Sequence, residues 1–194
     1  MTGGRLFEDP GPPPAPAVAD DGFTVLTVGH GARSLDELLG CLREAGAATL
    51  VDVRRFPSSR RFPWFDQVPL AAALGAAGIA YRHAVDLGGR LSGEAGAGSF
   101  ACLGSPQLAS YAARMGTPAW QDALAAALAE RAPCLMCAEA DWRHCHRRLI
   151  ADLLAARGYR VLHVLAPGRV EPHRLSAEAE ARGGLLHLCG HPVA

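Results

Sequence analysis

The sequence predicts a single three-layer α/β domain, with a mostly parallel sheet of about five strands flanked by helices. Two observations predict this fold class. Short apolar runs alternate along the chain with helical segments that carry capping residues, and continuous apolar runs are typical of buried parallel strands. The chain has 194 residues, 49% of them hydrophobic, and this length suits one well-buried core better than two domains.

The predicted strands are separated by helices whose first residues are recognisable. The strands are residues 23–28, 49–53, 79–82, 134–137 and 160–165. Each run is short and rich in strand-forming residues. Ser34 and Glu37 have the spacing of a capping box, and Ser105 and Thr117 each precede a proline at the first helical position. The helix after the fourth strand is predicted to begin at about Cys145.

Three segments are predicted along the chain. Residues 1–22 are expected to form a flexible leader, because they are rich in proline and have no apolar periodicity. Residues 23–166 form the α/β domain, and residues 167–194 form a C-terminal extension, in which a polar segment at 176–182 is compatible with a helix. Residues 83–104 are predicted to be a glycine-rich loop that is mobile without ligand.

Composition and charge exclude several classes of protein. The formal net charge is zero, so no overall field recruits nucleic acid or an anionic membrane. No stretch approaches the roughly 20 apolar residues of a membrane span, and no signal sequence is evident, so the protein is predicted to be cytoplasmic. The cysteines lack the spacing of a disulfide framework and are expected to be reduced. The chain has no lysine, which excludes Schiff-base chemistry and a phosphate-loop lysine.

Polar side chains lie at or just beyond the carboxyl ends of three of the predicted strands. They are His30 at the end of the first strand, Asp52 and Arg54 at the end of the second, and Cys137, Glu139, Cys145, His146 and Arg147 at and after the end of the fourth. Ligands of open parallel sheets bind beyond the carboxyl ends of the strands. These side chains are therefore predicted to share one cavity.

The arginines near the strand ends predict an anionic ligand. Arg54, Arg60 and Arg147 belong to the residue type that binds phosphate or carboxylate through bidentate contacts. Asp52 and Glu139 are candidates for a general acid and base. An alternative stays open, in which Asp52 pairs with Arg54, and Glu139 with Arg147, to brace the loops without binding a ligand.

Cys145 has two interpretations. Its position near a helix N-terminus, beside His146 and Arg147, favours a thiolate and makes it a candidate nucleophile. The apolar face of the same helix also suits a buried structural thiol. Cys137 and Arg143 match the spacing of the anion-binding loop of rhodaneses and cysteine phosphatases, which is a short and unspecific pattern.

A metal site would use Cys137, Cys145 and His146, with His144 or His30 as a fourth ligand. Adjacent side chains such as Cys145 and His146 do not easily point at one ion from a regular helix, and no Cys-x2-Cys pair accompanies them. Because zinc demands a tetrahedral ligand set, neither a metal nor a cofactor is predicted.

Several of these motifs occur together in one known family. They are Thr27-Val28-Gly29-His30, Leu50-Val51-Asp52-Val53-Arg54, Pro57-Ser58-Ser59-Arg60, Tyr81, Leu87-Gly88-Gly89, Leu135-Met136-Cys137-Ala138-Glu139, Cys145-His146-Arg147 and His163. In their order and spacing the chain resembles the bacterial and archaeal proteins of the domain of unknown function 488 family. The resemblance implies a compact α/β fold and one shared site. That site would contain His30, Asp52, Arg54, Ser59, Arg60, Cys137, Glu139, Cys145, His146 and Arg147.

These observations predict an enzyme that acts on a small phosphate-bearing or nucleotide-like anion. The catalytic candidates are His30, Asp52, Glu139, Cys145 and His146, and the substrate-binding candidates are Arg54, Ser59, Arg60, Tyr81, Cys137 and Arg147. One alternative is a nucleic-acid-associated binding or repair accessory module, in which the aromatic residues of segment 56–65 stack bases. The neutral net charge of the chain does not favour binding to nucleic acid. Another is a thiol-based redox or regulatory domain. The reaction and the oligomeric state are left open.

Overall fold

A six-stranded sheet forms the centre of the protein in a computed structural model that describes residues 23–193. Its strands are β1 (Thr24–Gly29), β2 (Thr49–Asp52), β3 (Ala80–His83), β4 (Pro133–Cys137), β5 (Arg160–Ala166) and β6 (Arg169–Pro172). Their spatial order is β3-β2-β4-β1-β5-β6. The first five pair in parallel, and β6 runs antiparallel to β5 as an additional edge strand. The predicted fold class is confirmed, and the predicted leader lies outside the described residues.

Helices cover the sheet, and their first residues only partly follow the predicted capping. They are α1 (Leu35–Glu44), α2 (Gln67–Ala76), α3 (Pro106–Met115), α4 (Pro118–Leu128) and α5 (Arg147–Ala156). The capping box is formed, because the Ser34 hydroxyl accepts from the Glu37 N–H at 3.1 Å and the Glu37 carboxylate accepts from the Ser34 N–H at 2.7 Å. Thr117 precedes α4, but its hydroxyl donates back to the Arg114 carbonyl at 2.8 Å instead of capping the helix.

Short 3-10 helices connect these elements. They are Pro63–Phe65, Val85–Leu87, Ala97–Leu103 and Trp142–His144. The second and third of them lie in the stretch predicted as a glycine-rich loop, where Leu91, Phe100 and Leu103 are buried in the core. Among residues 23–193, no helix is long and apolar enough to cross a membrane.

Alternate residues of the central strands face two separate cores. On one side, Leu26, Cys134 and Met136 pack with the buried leucines of α1 and α2. On the other side, Val25 and Leu135 pack with residues of α3, α4 and α5. Because both faces are covered, β1, β2 and β4 are buried along their whole length.

Residues 167–193 are integrated into the same fold. Besides β6, they form a small antiparallel sheet of β7 (Ala179–Arg182), β8 (Leu185–Leu188) and β9 (His191–Pro192). The prediction that residues 176–182 could form a helix is therefore wrong, because β7 occupies most of this segment. Gly183 and Gly184 both have positive φ and turn the chain into a hairpin, and Leu186 and Leu188 of β8 are buried in the α3–α5 core.

A disulfide joins Cys102 to Cys189 and corrects the expectation that all cysteines are reduced. The two residues are 87 positions apart in sequence. They meet because the small C-terminal sheet packs beside the 3-10 helix at 97–103, and this juxtaposition has no local sequence signal. The remaining cysteines, Cys41, Cys134, Cys137 and Cys145, are free and buried.

Candidate functional site

The carboxyl ends of β1, β2 and β4 lie side by side, since β4 stands between the other two strands. Backbone hydrogen bonds continue the parallel pairing past the strand ends. The His30 N–H donates to the Cys137 carbonyl at 3.0 Å, and the Val53 N–H donates to the Met136 carbonyl at 2.9 Å. The loops after the three strands consequently begin at one edge of the sheet.

A cavity of about 190 Å³ opens at this edge. Its walls are formed by His30, Arg54, Arg55, Phe56, Ser58, Ser59, Gly89, Arg90, Cys137, Ala138 and His146. We call it the arginine cavity, because three arginines and no carboxylate line it.

A second cavity of about 230 Å³ shares five wall residues with the arginine cavity. These are Gly89, Arg90, Cys137, Ala138 and His146. Glu139, which is exposed, and Cys145, which is buried, line only this second cavity. Cys137 and His146 thus stand where the two cavities adjoin.

Arg54 and Asp52 form a buried ion pair behind the arginine cavity. The Arg54 Nε–H donates to Asp52 Oδ1 at 2.9 Å, and Nη2–H donates to Oδ2 at 2.6 Å. The Tyr81 hydroxyl donates to the same Oδ2 at 2.9 Å. Burial, reinforced by the Asp52 charge, raises the pKa of Tyr81 above its ordinary value. Asp52 and Tyr81 line neither cavity, and they hold Arg54 in place from behind.

His30 presents a neutral imidazole to the arginine cavity. Its Nδ1–H donates to the Gly31 carbonyl at 3.0 Å, so Nε2 is left as an acceptor for Arg54 Nη1 at 3.4 Å. Burial, followed by the Arg54 charge, lowers the pKa of His30 from 6.5 to about 4. The ring also packs on Phe65, with the ring centroids 4.3 Å apart.

Cys137, Cys145 and His146 form a buried cluster, which we call the thiol–imidazole cluster. His146 Nδ1 lies 3.8 Å from Cys137 Sγ and 3.6 Å from Cys145 Sγ. The interaction of the two thiols with each other lowers the pKa of Cys145, with help from His146 and Arg147, and together with burial it raises the pKa of Cys137.

The Gly88-Gly89 pair lets its loop approach this cluster closely. A Cβ atom on Gly89 would lie 2.6 Å from His146 Nδ1, and one on Gly88 would lie 2.7 Å from the Cα of Arg55. The next residue, Arg90, adopts a positive φ of 59°, which is unusual for a residue with a side chain. Glycine is required at both positions, because only glycine leaves room for the His146 ring at position 89 and for the Arg55 backbone at position 88.

Arg147 is buried in the wall of the site and lines neither cavity. Its Nη2 donates to the Glu139 carbonyl, and its Nη1 donates to the Thr27 hydroxyl at 3.4 Å. A Cβ on Gly29 would collide with the Glu139 carbonyl oxygen at 1.9 Å. Arg147 therefore holds the 138–140 loop across the end of β1.

Two further arginines considered from the sequence lie away from the arginine cavity. Arg60 is exposed and lines neither cavity. Arg143 pairs with Asp141 and Glu171 and stacks over Trp142, so it does not complete a phosphatase-like loop with Cys137. Ser59 does line the cavity, and its hydroxyl accepts from the Phe62 N–H at 3.1 Å.

Three polar residues of the arginine cavity were not among the site candidates predicted from the sequence: Arg55, Ser58 and Arg90. Arg55 and Ser58 belong to the loop after β2, which is rich in Arg, Pro and Ser. The composition of this loop does not indicate which of its side chains face the cavity and which face solvent. Arg90 directly follows the Gly-Gly pair. Because a glycine pair allows the backbone to approach other residues closely, it could have indicated that Arg90 lies near the site.

A separate buried chain of hydrogen bonds runs through β5. The Thr27 hydroxyl donates to His163 Nδ1 at 2.7 Å, His163 Nε2–H donates to His173 Nδ1 at 3.0 Å, and His173 Nε2–H donates to Asp152 at 3.1 Å. Trp142 stacks on His163, with centroids 3.9 Å apart. In this chain every hydrogen bond is donated in the direction from Thr27 to Asp152. His163 Nδ1 must then accept a hydrogen bond, and it can do so only when the His163 ring is neutral.

The fold and this site define a single-domain α/β protein with an arginine- and cysteine-containing cavity at the strand ends. A family model described as "Domain of unknown function DUF488" matches residues 34–154, and the chain belongs to this family. The matched segment includes the Arg54 loop, the Gly-Gly pair and the thiol–imidazole cluster, and it begins just after His30. No curated protein and no solved structure matches the chain.

Proposed function

We propose that the protein is an enzyme that acts on a small phosphate-bearing or nucleotide-like anion held in the arginine cavity. One observation carries this proposal. Arg54, Arg55 and Arg90 line the cavity, and no carboxylate lines it. Asp52 neutralises Arg54 from behind, whereas Arg55 and Arg90 form no ion pair with any residue between 23 and 193. The surplus positive charge favours an anionic ligand.

The other wall groups support a phosphorylated ligand. The Ser58 and Ser59 side chains add hydroxyl groups to the wall, and Gly89 brings backbone close to the same space. Phe56 is 61% exposed although it lines the cavity, so its ring is available to stack on a base. The two adjoining cavities, of about 190 and 230 Å³, together fall within the size range of small-molecule sites, roughly 300–1,000 Å³.

Glu139 is the carboxylate best placed to move a proton. It lines the second cavity beside Cys145, whereas the oxygens of Asp52 are occupied by Arg54 and Tyr81. The thiol–imidazole cluster lies between Glu139 and the arginine cavity, within reach of a ligand that occupies both spaces. Such an enclosed arrangement favours an enzyme, whereas a flat arginine surface would favour a binding module.

The experiment that tests the proposal measures melting temperature against phosphate and nucleotide concentration at matched ionic strength. Binding to the native state alone stabilises it by about 2.7 kcal/mol at a hundredfold excess over the dissociation constant. We expect a rise in the parent, a reduced rise in Arg55→Ala and Arg90→Ala, and the full rise in Arg60→Ala, a neighbour that lines neither cavity.

An absent rise in the parent, or an undiminished rise in an Arg55→Ala/Arg90→Ala double variant, would contradict the anion site. A rise with single-stranded oligonucleotides but not with mononucleotides would instead favour the nucleic-acid-binding alternative. Turnover is then sought by following product formation from the stabilising nucleotide, with Glu139→Gln as the variant expected to lose it.

A further inference from the structure

The thiol–imidazole cluster has the donor set of a transition-metal site. We propose that Cys137, Cys145 and His146 together bind a Zn²⁺ ion. The three donor atoms lie within 4.8 Å of one another, and all three residues are buried. Two thiolates and one imidazole are ligands that zinc prefers. The proposal is argued from the donor atoms of these three residues rather than from the cavity arginines, and two of the three, Cys137 and His146, also line the arginine cavity.

The spacing of the donor atoms fits one ion between them. Zinc bonds of about 2.3 Å to sulfur and about 2.0–2.1 Å to nitrogen, at tetrahedral angles, place sulfur and nitrogen about 3.6 Å apart. The Sγ–Nδ1 distances are 3.6 Å for Cys145 and 3.8 Å for Cys137. An ion therefore needs little rearrangement of these side chains.

His146 is oriented as a metal-binding histidine. Its Nε2–H donates to the Val53 carbonyl at 3.1 Å, which leaves the Nδ1 lone pair directed at the two sulfurs. A ring nitrogen that donates to a backbone carbonyl fixes the tautomer and the ring direction of a ligand. The Tyr111 ring, with its centroid 4.9 Å away, and the close backbone of Gly89 confine the imidazole further.

The path of the chain explains how adjacent residues converge. The sequence predicted a helix from about Cys145, from which Cys145 and His146 would diverge. The helix instead begins at Arg147, Cys145 is extended with φ −117° and ψ 152°, and His146 is the residue preceding α5. This two-residue shift removes the geometric objection to a shared ion.

The site has three protein ligands and an open side. Among the described residues, no fourth histidine, cysteine or carboxylate joins the group. Cys137 and His146 line both cavities, so the remaining coordination position would face the space where a ligand enters. Three protein ligands with one open position are typical of catalytic zinc sites, whereas structural sites have four.

The test uses the full chain, stripped of metal with a chelator and titrated with Co²⁺ as a spectroscopic probe and with Zn²⁺ for metal analysis. We expect one ion per chain, with the thiolate charge-transfer and visible bands of tetrahedral cobalt. Cys137→Ser and Cys145→Ser should weaken binding by more than about tenfold, the smallest loss typical of removing an outer-shell partner. Cys134→Ser, in the same strand, and a Cys102→Ser/Cys189→Ser variant should bind as the parent does.

Cobalt binding by the parent protein is sufficient to test the proposal, even if a variant fails to fold. No stoichiometric cobalt binding by the reduced parent, or a spectrum without thiolate bands, overturns the proposal. A Cys137–Cys145 disulfide that forms in the parent while the reduced protein binds no metal would assign the pair to redox chemistry. Unchanged binding in folded Cys137→Ser also overturns it. Because anion binding is measured separately, either proposal can fail alone.

Discussion

Arg54 and Asp52 form a bidentate ion pair whose side chains are 4% and 0% exposed. We predict that Asp52→Asn lowers the free energy of unfolding by about 3–5 kcal/mol, because it leaves a buried guanidinium without its counter-charge. Urea unfolding monitored by circular dichroism measures the loss. An Asp52→Asn/Arg54→Met double variant should lose less than the sum of the two single variants, since it removes both charges together.

The exposed pair Arg182–Glu180 provides the control, because both of its side chains are 57% exposed. Arg182→Ala is expected to leave the free energy of unfolding unchanged. A loss below about 1 kcal/mol in Asp52→Asn, the size typical of a surface pair, would show that Asp52 does not hold Arg54 in solution.

His163 should make the protein less stable as the pH falls. Burial, then the nearby charges of His173, Arg147 and Arg143, lowers its pKa from 6.5 to about 2. Below pH 6.5 the unfolded chain binds a proton at this residue, whereas the native protein does not until about pH 2. The stability due to neutral His163 is thus complete above pH 6.5 and decreases through this window.

Urea unfolding at pH 7, 6 and 5 measures this dependence. One proton taken up on unfolding corresponds to at most about 1.4 kcal/mol for each pH unit. His163→Phe keeps a ring beside Trp142 but cannot titrate, so its stability should depend on pH less steeply than that of the parent. Equal slopes in the two proteins would mean that the pKa of His163 is the same in the native and the unfolded protein.

Gly89→Ala should disturb the site through a steric collision. The added Cβ would lie 2.6 Å from His146 Nδ1, and such overpacking costs about 1–3 kcal/mol. The melting temperature and the affinity for cobalt should both be lower than in the parent, as measured by thermal unfolding and cobalt titration. Gly98→Ala is the matched control, because its Cβ would meet nothing within 4 Å. A Gly89→Ala protein with parental stability and cobalt affinity would show that the loop is not held against His146.

The Cys102–Cys189 disulfide should stabilise the C-terminal sheet. Removing it with Cys102→Ser/Cys189→Ser is predicted to lower the free energy of unfolding by about 2–4 kcal/mol, because the bridge restricts the unfolded chain. The comparison is made without reductant, with Cys41→Ser, at a cysteine that forms no disulfide, as the control. Mass spectrometry that finds both sulfurs free in the native parent would contradict the bridge itself.

The sequence by itself determined the alternation of strands and helices and the edge of the sheet that carries the site. Apolar runs specify buried strands locally, and the Ser34–Glu37 spacing specifies the start of α1 locally, so neither depends on distant residues. The same local patterns placed His30, Arg54 and Cys137 beyond the ends of strands that the sheet brings together.

Only the tertiary structure decided which of those side chains face the cavities. Arg54 is held by Asp52 and Tyr81, Arg147 is turned into the wall, and Arg90 enters the cavity on a loop that closes over His146. The Cys102–Cys189 bridge and the packing of Leu186 and Leu188 on the α3–α5 core likewise depend on partners far away in sequence. The directions of these loop side chains and the long-range contacts are set by packing between elements, and local periodicity does not specify them.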